Sequence, residues 1–284
     1  MKKNYLLWKL IFLYILFSNS LAEGQISISN RPADNIIVFG NGKLKVTLDY
    51  GSKCVVTGMD VNGEGVLSDK SGMYSGIRIV AATYSTLKLA TSPKIKTQKN
   101  SVTLSGIRYG EDNAPINEVW TFLITETDIR FDIERTVSKP FVAEEVSFPA
   151  FNFNSINTWN AAFLGNGGVA WFYLFNEKLC TYGVHTDFSA FWNNKKNIGL
   201  KINTSAEGKQ IASKYSRSYE DKLVYSISVS DKELVPRYDP DTKRRRFIRQ
   251  KTDVWDSFTI NAGKYNQIIT LTPTDYSEEY NRGK

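Results

Sequence analysis

The chain has 284 residues, 42% hydrophobic and 23% charged, with a formal net charge of +7. Such a balance excludes a disordered polyelectrolyte and is enough for a sizeable core. The positive excess is mild, and no nucleic-acid partner is expected from it.

Lys2, Lys3 and Lys9 surround an apolar run from Leu10 to Phe17, and Ser20-Leu21-Ala22 follows with small residues. This pattern predicts a signal peptide over 1–22, cut after Ala22, and a secreted or periplasmic protein. The apolar run is shorter than the roughly 20 residues that cross a bilayer, and no later stretch is longer. No membrane span is therefore expected in the mature chain. Glu23, not Cys, follows the cut, which argues against a lipid anchor. Removing the peptide leaves 262 residues and lowers the net charge to about +4. Residues 23–271 are expected to form one β-domain, and 272–284 a polar tail that stops at Lys284.

Alternation with a period of two then dominates. Leu44, Val46, Leu48 and Tyr50 share one face, opposite Lys43, Lys45, Thr47 and Asp49. Cys54 follows; in an oxidising compartment it can pair with Cys180 or remain a buried thiol, and both stay open. Ile77, Ile79 and Ala81 repeat the pattern, as do Val102 and Leu104. Ile129, Phe131 and Ile133 interleave with Arg130, Asp132 and Glu134, the mark of a half-buried antiparallel strand. Ile198–Ile202, Leu223–Val229 and Ile268–Leu271 continue it. Turn signals separate these runs at Asn41-Gly42, Asn62-Gly63, Thr127-Asp128 and Asn261-Ala262-Gly263. No segment carries three turns of amphipathic helix. Many short strands without helices between them predict an all-β fold, a large two-sheet antiparallel β-sandwich.

Chemistry concentrates between Phe151 and Trp192, where 12 of 42 residues are aromatic against 13% overall. Aromatic rings beside amides and carboxylates suit sugars: rings pack on C–H bonds while polar groups take hydroxyls. The same rings can instead fill a core, and Trp171 with the run Val169–Phe175 reads that way. Trp159 and Trp192 flank polar loops and, with His185 and Asp187, are the expected sugar contacts. His185, the single histidine, is a candidate acid or base, although a lone histidine more often serves structure. Glu118, Glu144 and Glu145 are the carboxylates that could accompany it as a catalytic pair. The loop Gly165-Asn166-Gly167-Gly168 reads as a tight turn, since no helix follows it to make a nucleotide site. No Cys/His spacing suits zinc, and no cofactor is implied. Lys243, Arg244, Arg245, Arg246, Arg249 and Lys251 form a basic run, either a solvated hairpin or a patch for acidic polysaccharide.

The stretch N-G-K-L-K-V-T-L-D-Y-G from Asn41, followed by V-V-T-G-M-D-V-N-G-E-G-V-L to Leu67, resembles the opening of a galactose-mutarotase-like sandwich. Glu118-Val119-Trp120-Thr121-Phe122, Ile129–Glu134 and the block from Trp159 to Trp192 continue the likeness. They are similar to the N-terminal sandwich of bacterial glycoside hydrolases with an (α/α)6 catalytic barrel. The resemblance implies a large supersandwich and a carbohydrate partner. Mutarotases use two histidines and a carboxylate, whereas this chain has only His185, so their full mechanism does not carry over. The hydrolases keep acid and base in the barrel, and no barrel is expected before Lys284. Three readings follow: a carbohydrate-binding accessory sandwich, a sugar epimerase or glycoside hydrolase using His185 and a carboxylate, and a protein-interaction module.

Overall fold

The computed structural model describes residues 25–277 except 68–70, 81, 112–114, 165–168, 172–179, 218–220, 237, 240–243, 246–247 and 250–253. Of 164, 169–171, 180, 182, 238–239, 244–245 and 248–249 it describes the backbone alone. The expected runs become strands: Leu44–Asp49, Met73–Ile79, Ser101–Tyr109, Ile129–Val137, Ile198–Ala206, Leu223–Ser230 and Gly263–Thr274. The expected Asn62-Gly63 turn also forms, with both residues at positive φ, 50° and 84°, as a two-residue hairpin turn of type I′ requires.

The strands assemble into two large antiparallel sheets. One has twelve strands and runs from Ser27–Arg31 through Leu44–Asp49 to Met73–Ile79, Glu145–Asn152, Leu223–Ser230, Gln210–Arg217 and Cys180–Val184. The other has nine, with Phe188–Asn193, Ile198–Ala206, Gly263–Thr274, Ile129–Val137, Ile116–Ile124 and Ser101–Tyr109 side by side. Among the described residues no helix is long and apolar enough to cross a membrane.

Alternation sends one set of side chains from each sheet into a shared core. Ile116–Ile124 and Ile129–Val137 alternate buried and half-buried without a break. Aromatic rings join the layers: Phe39 meets Phe122 at 4.9 Å, and Phe191 meets Tyr225 at 5.2 Å. Trp159 lies in the same core at 1% exposure, against Phe153 and Phe191. It is thus walled off from solvent, which removes the expected sugar contact at that position. Cys54 is a buried free thiol, so the bridge to Cys180 left open by the sequence is not formed.

Glu118 and Arg135 point into this core, wholly buried and adjacent on paired strands. Arg135 Nε donates to Glu118 Oε1 at 2.6 Å, Tyr109 Oη donates to the same oxygen at 2.8 Å, and Trp120 Nε1 donates to Oε2 at 2.7 Å. A buried carboxylate with three donors, one of them a cation, is a satisfied structural ion. Glu118 is therefore corrected from catalytic candidate to core residue, because no water or substrate reaches it.

Burial pushes the phenols of Tyr109, Tyr225 and Tyr265 above their ordinary value, Glu118 adding to the effect at Tyr109. Raised pKa values favour the folded, neutral form. Their contribution is fully present below the unfolded value of about 10 and is lost as pH rises through the folded ones. Alkaline unfolding above about pH 10 is expected, with part of the tyrosinate absorbance appearing only as the protein unfolds. A tyrosinate titration that is complete while the fold persists would contradict this.

Candidate functional site

Register shows which side chains leave the core. Lys214 pairs with Ser226, Ser226 with Ala150, and Ala150 with Tyr74, so this row crosses four strands on the face away from the core. Its neighbours Tyr215, Tyr225 and Phe151 point inward. Outward residues on a sheet are ordinarily wet, yet Lys214 is 5% exposed, Ser226 1%, Ser228 2% and Ala150 1%. This face of the twelve-stranded sheet is therefore recessed beneath protein packed over it, Val254 and Trp255 included.

Small side chains make the recess, and charges line it. Lys214 Nζ reaches over the strand carrying Ser226 and Ser228 to bond Glu145 Oε1. Glu145 Oε2 lies 3.6 Å from Arg78 Nε, and Arg78 Nη1 lies 3.2 Å from Glu144 Oε2. The result is a chain of alternating charge, Lys214–Glu145–Arg78–Glu144. Burial and the Glu145 carboxylate push the Tyr74 phenol up. Two carboxylates, two cations, a phenol and serine hydroxyls offer donors and acceptors in close alternation, as a polyhydroxylated ligand needs.

Parity along the strand Glu145–Asn152 depends on one irregularity. The register with Met73–Ile79 shifts between Ser147 and Ala150, where Phe148 and Pro149 oppose Ser75 alone. A bulge of one residue resets the alternation. Glu145, Ser147 and Ala150 all face outward, while Val146 and Phe148 enter the core.

One wall of the recess is aromatic. Gly183 stands beside Lys214 in the outward row. A Cβ on Gly183 would lie 2.3 Å from Val254 Cγ2 and 3.0 Å from Trp255 Cζ2, so those two residues close directly over it. The His185 ring meets Trp255 edge-on at 4.7 Å and is itself exposed. Gly183→Ala is expected to push Val254 and Trp255 off the sheet at a cost of about 1–3 kcal/mol. A urea melt with near-UV circular dichroism reads both effects; unchanged spectra and midpoint would refute the contact. At the other end, Glu144 N donates to Arg78 O, and Ser230 Oγ to Thr259 O of the ribbon Phe141–Ala143/Phe258–Ile260.

The structure divides the residues expected to act together. Glu144, Glu145 and, at the margin, His185 gather at the recessed face. Trp192 does not: its register with Ala161 and Gly199 places it on the outer face of the other sheet. There it is 5% exposed, in a small apolar cluster with Phe163 and Ala190. Asp187 is exposed in the link between the sheets, two residues beyond His185. Trp159 is core, and the Trp171 side chain lies outside the described residues, as do the Gly165–Gly168 loop and most of the basic run from Thr242 to Lys251. Arg78, Lys214, Tyr74 and the serines went unnoticed in the sequence. One signal was present: Leu223–Ser230 reads L-V-Y-S-I-S-V-S, with Ser226, Ser228 and Ser230 alternating with apolar residues. Among the described residues no group of three or more His, Cys, Asp or Glu side chains could hold a metal.

No protein-family model matches the sequence, and no curated protein matches it. Solved structures do. A galactose mutarotase-like protein from Clostridium acetobutylicum superposes with a TM-score of 0.50 at 8% identity, over 89% of this chain and 99% of that one. The galactosidase domain of an alpha-galactosidase–sucrose kinase gives 0.53 at 7% identity, over 88% of this chain and 42% of that one. A 4-alpha-glucanotransferase from Thermococcus litoralis gives 0.50 at 9%, over 89% and 40%. The chain spans about two fifths of the last two proteins. At such identities the likeness is one of fold: this chain is a galactose-mutarotase-like β-sandwich.

Proposed function

We propose that the protein is a secreted carbohydrate-binding sandwich that holds its sugar on the recessed face of the twelve-stranded sheet. The observation that carries this reading is the chain Lys214–Glu145–Arg78–Glu144 on an outward face floored by Ser226 and Ser228, with Lys214 buried and the other three side chains partly exposed. Hydroxyls bridge such alternating charges well, because each sugar OH both donates and accepts. The exposed His185 ring, held edge-on against the buried Trp255, supplies the aromatic face at the margin on which a sugar ring packs. The signal-peptide pattern at Lys2–Ala22 accords with export to where polysaccharides are met. The named activities of the fold neighbours, all on sugars, agree with this class of ligand.

A second reading, anomer interconversion or glycoside cleavage by His185 with Glu145 or Glu144, is favoured by the exposed His185 ring at the margin of the same recess. A glycan-binding screen of the mature chain, run beside a reducing-sugar release assay, separates the two. Binding without release supports the accessory role. Release that depends on His185 supports the enzyme, and silence in both assays contradicts the carbohydrate reading.

A further inference from the structure

Among the described residues the buried polar cluster around Arg135 meets the opposite sheet at Phe148, at the bulge beneath the recess. Gln267, on the central strand Gly263–Thr274, is wholly buried. Its Oε1 accepts from Arg135 Nη1 at 3.1 Å, and its Nε2 donates to the Phe148 carbonyl at 2.6 Å. The Arg135 guanidinium lies 3.7 Å over the Phe148 ring. Phe148 is on the other sheet, at the point where the Glu145–Asn152 strand loses register. Pro149 offers no N–H there, and the ladder with Leu223–Ser230 covers only Ala150 to Asn152. The Phe148 carbonyl needs a partner from elsewhere, and Gln267 is that partner. Beyond the bulge, Ser228 Oγ donates to the Val146 carbonyl.

We infer that Gln267 and Arg135 are positioning residues for the Glu145–Lys214 site, acting through the Phe148 carbonyl. The parity argument gives the reason. Without the extra residue, the same strand would turn Glu145 toward the core and Val146 outward. The strut from the nine-stranded sheet holds the irregular backbone that keeps Glu145 against Lys214. As a role for this site, the inference rests on the carbohydrate reading, but its test needs no sugar.

The test is site-resolved acetylation of the full chain by N-hydroxysuccinimidyl acetate, read by mass spectrometry. Lys214, which is buried and ion-paired, is scored against Lys45, which is exposed. Gln267→Met removes both bonds at similar volume; Gln267→Glu keeps the acceptor for Arg135 and loses the donor to Phe148. Ile269→Val, on the same strand and equally buried, controls for general loss of stability. All variants are labelled at equal distance from their unfolding midpoints. Lys214 labelling is expected to rise about tenfold in both Gln267 variants, as the local opening becomes easier, and to stay low in Ile269→Val. Wild-type labelling in Gln267→Glu, or an equal rise in Ile269→Val, overturns the inference. If Gln267→Met does not fold, Gln267→Glu alone decides. A negative glycan screen leaves this result untouched, and failure here leaves sugar binding untouched.

Discussion

Replacing Glu118 by Leu is expected to cost about 3–5 kcal/mol of unfolding free energy, the penalty for leaving a buried cation without its counterion. Glu118 receives hydrogen bonds from Tyr109, Trp120 and Arg135, and both ions are fully buried. Burial works against the charged form of Arg135, yet Glu118 together with Tyr265 and Tyr109 outweighs it and holds the guanidinium more firmly protonated than usual. Removing the carboxylate therefore strands a charge that cannot be discharged. The pair Glu118→Leu with Arg135→Met should recover much of the loss, since a buried pair and an apolar pair of similar volume are nearly equivalent. Urea melts with a common m value measure both. A double variant no more stable than the single one would refute the electrostatic account.

Trp159→Ala is expected to cost about 3–5 kcal/mol by opening a large cavity. The indole packs edge-on against Phe153 at 5.4 Å and tilted against Phe191 at 5.9 Å. Its Nε1 has no hydrogen-bond partner among the described residues, so packing is its contribution. The loss appears in the urea midpoint, while glycan affinity below the transition stays at the wild-type value. Lost affinity with unchanged stability would return Trp159 to the binding surface.

Much of the fold was legible because period-two alternation reports burial directly. Ile129–Val137 and Leu44–Asp49 read as strands without further information. The site was less legible, for two physical reasons. An aromatic residue looks the same in sequence whether it faces sugar or core, and Trp159 and Trp192 proved buried on different faces of the sandwich. Cross-strand neighbours are the other reason: Lys214 and Glu145 are 69 residues apart and meet only through the order of three strands. Parity at Glu145 depends in turn on the bulge at Phe148-Pro149, which alternation alone misplaces by one residue. Glu145 was visible as a candidate carboxylate; its partners were not.

The most direct test of the central claim is calorimetric titration of the mature chain with the oligosaccharide selected by the glycan screen. Wild type is compared with Lys214→Met on the recessed face and with Asn203→Ala, exposed on the outer face of the opposite sheet. Loss of charge-assisted hydrogen bonds predicts a drop of about ten- to a hundredfold in affinity for Lys214→Met and none for Asn203→Ala. Equal affinity in wild type and folded Lys214→Met, or a loss confined to Asn203→Ala, would place the ligand elsewhere and contradict the account.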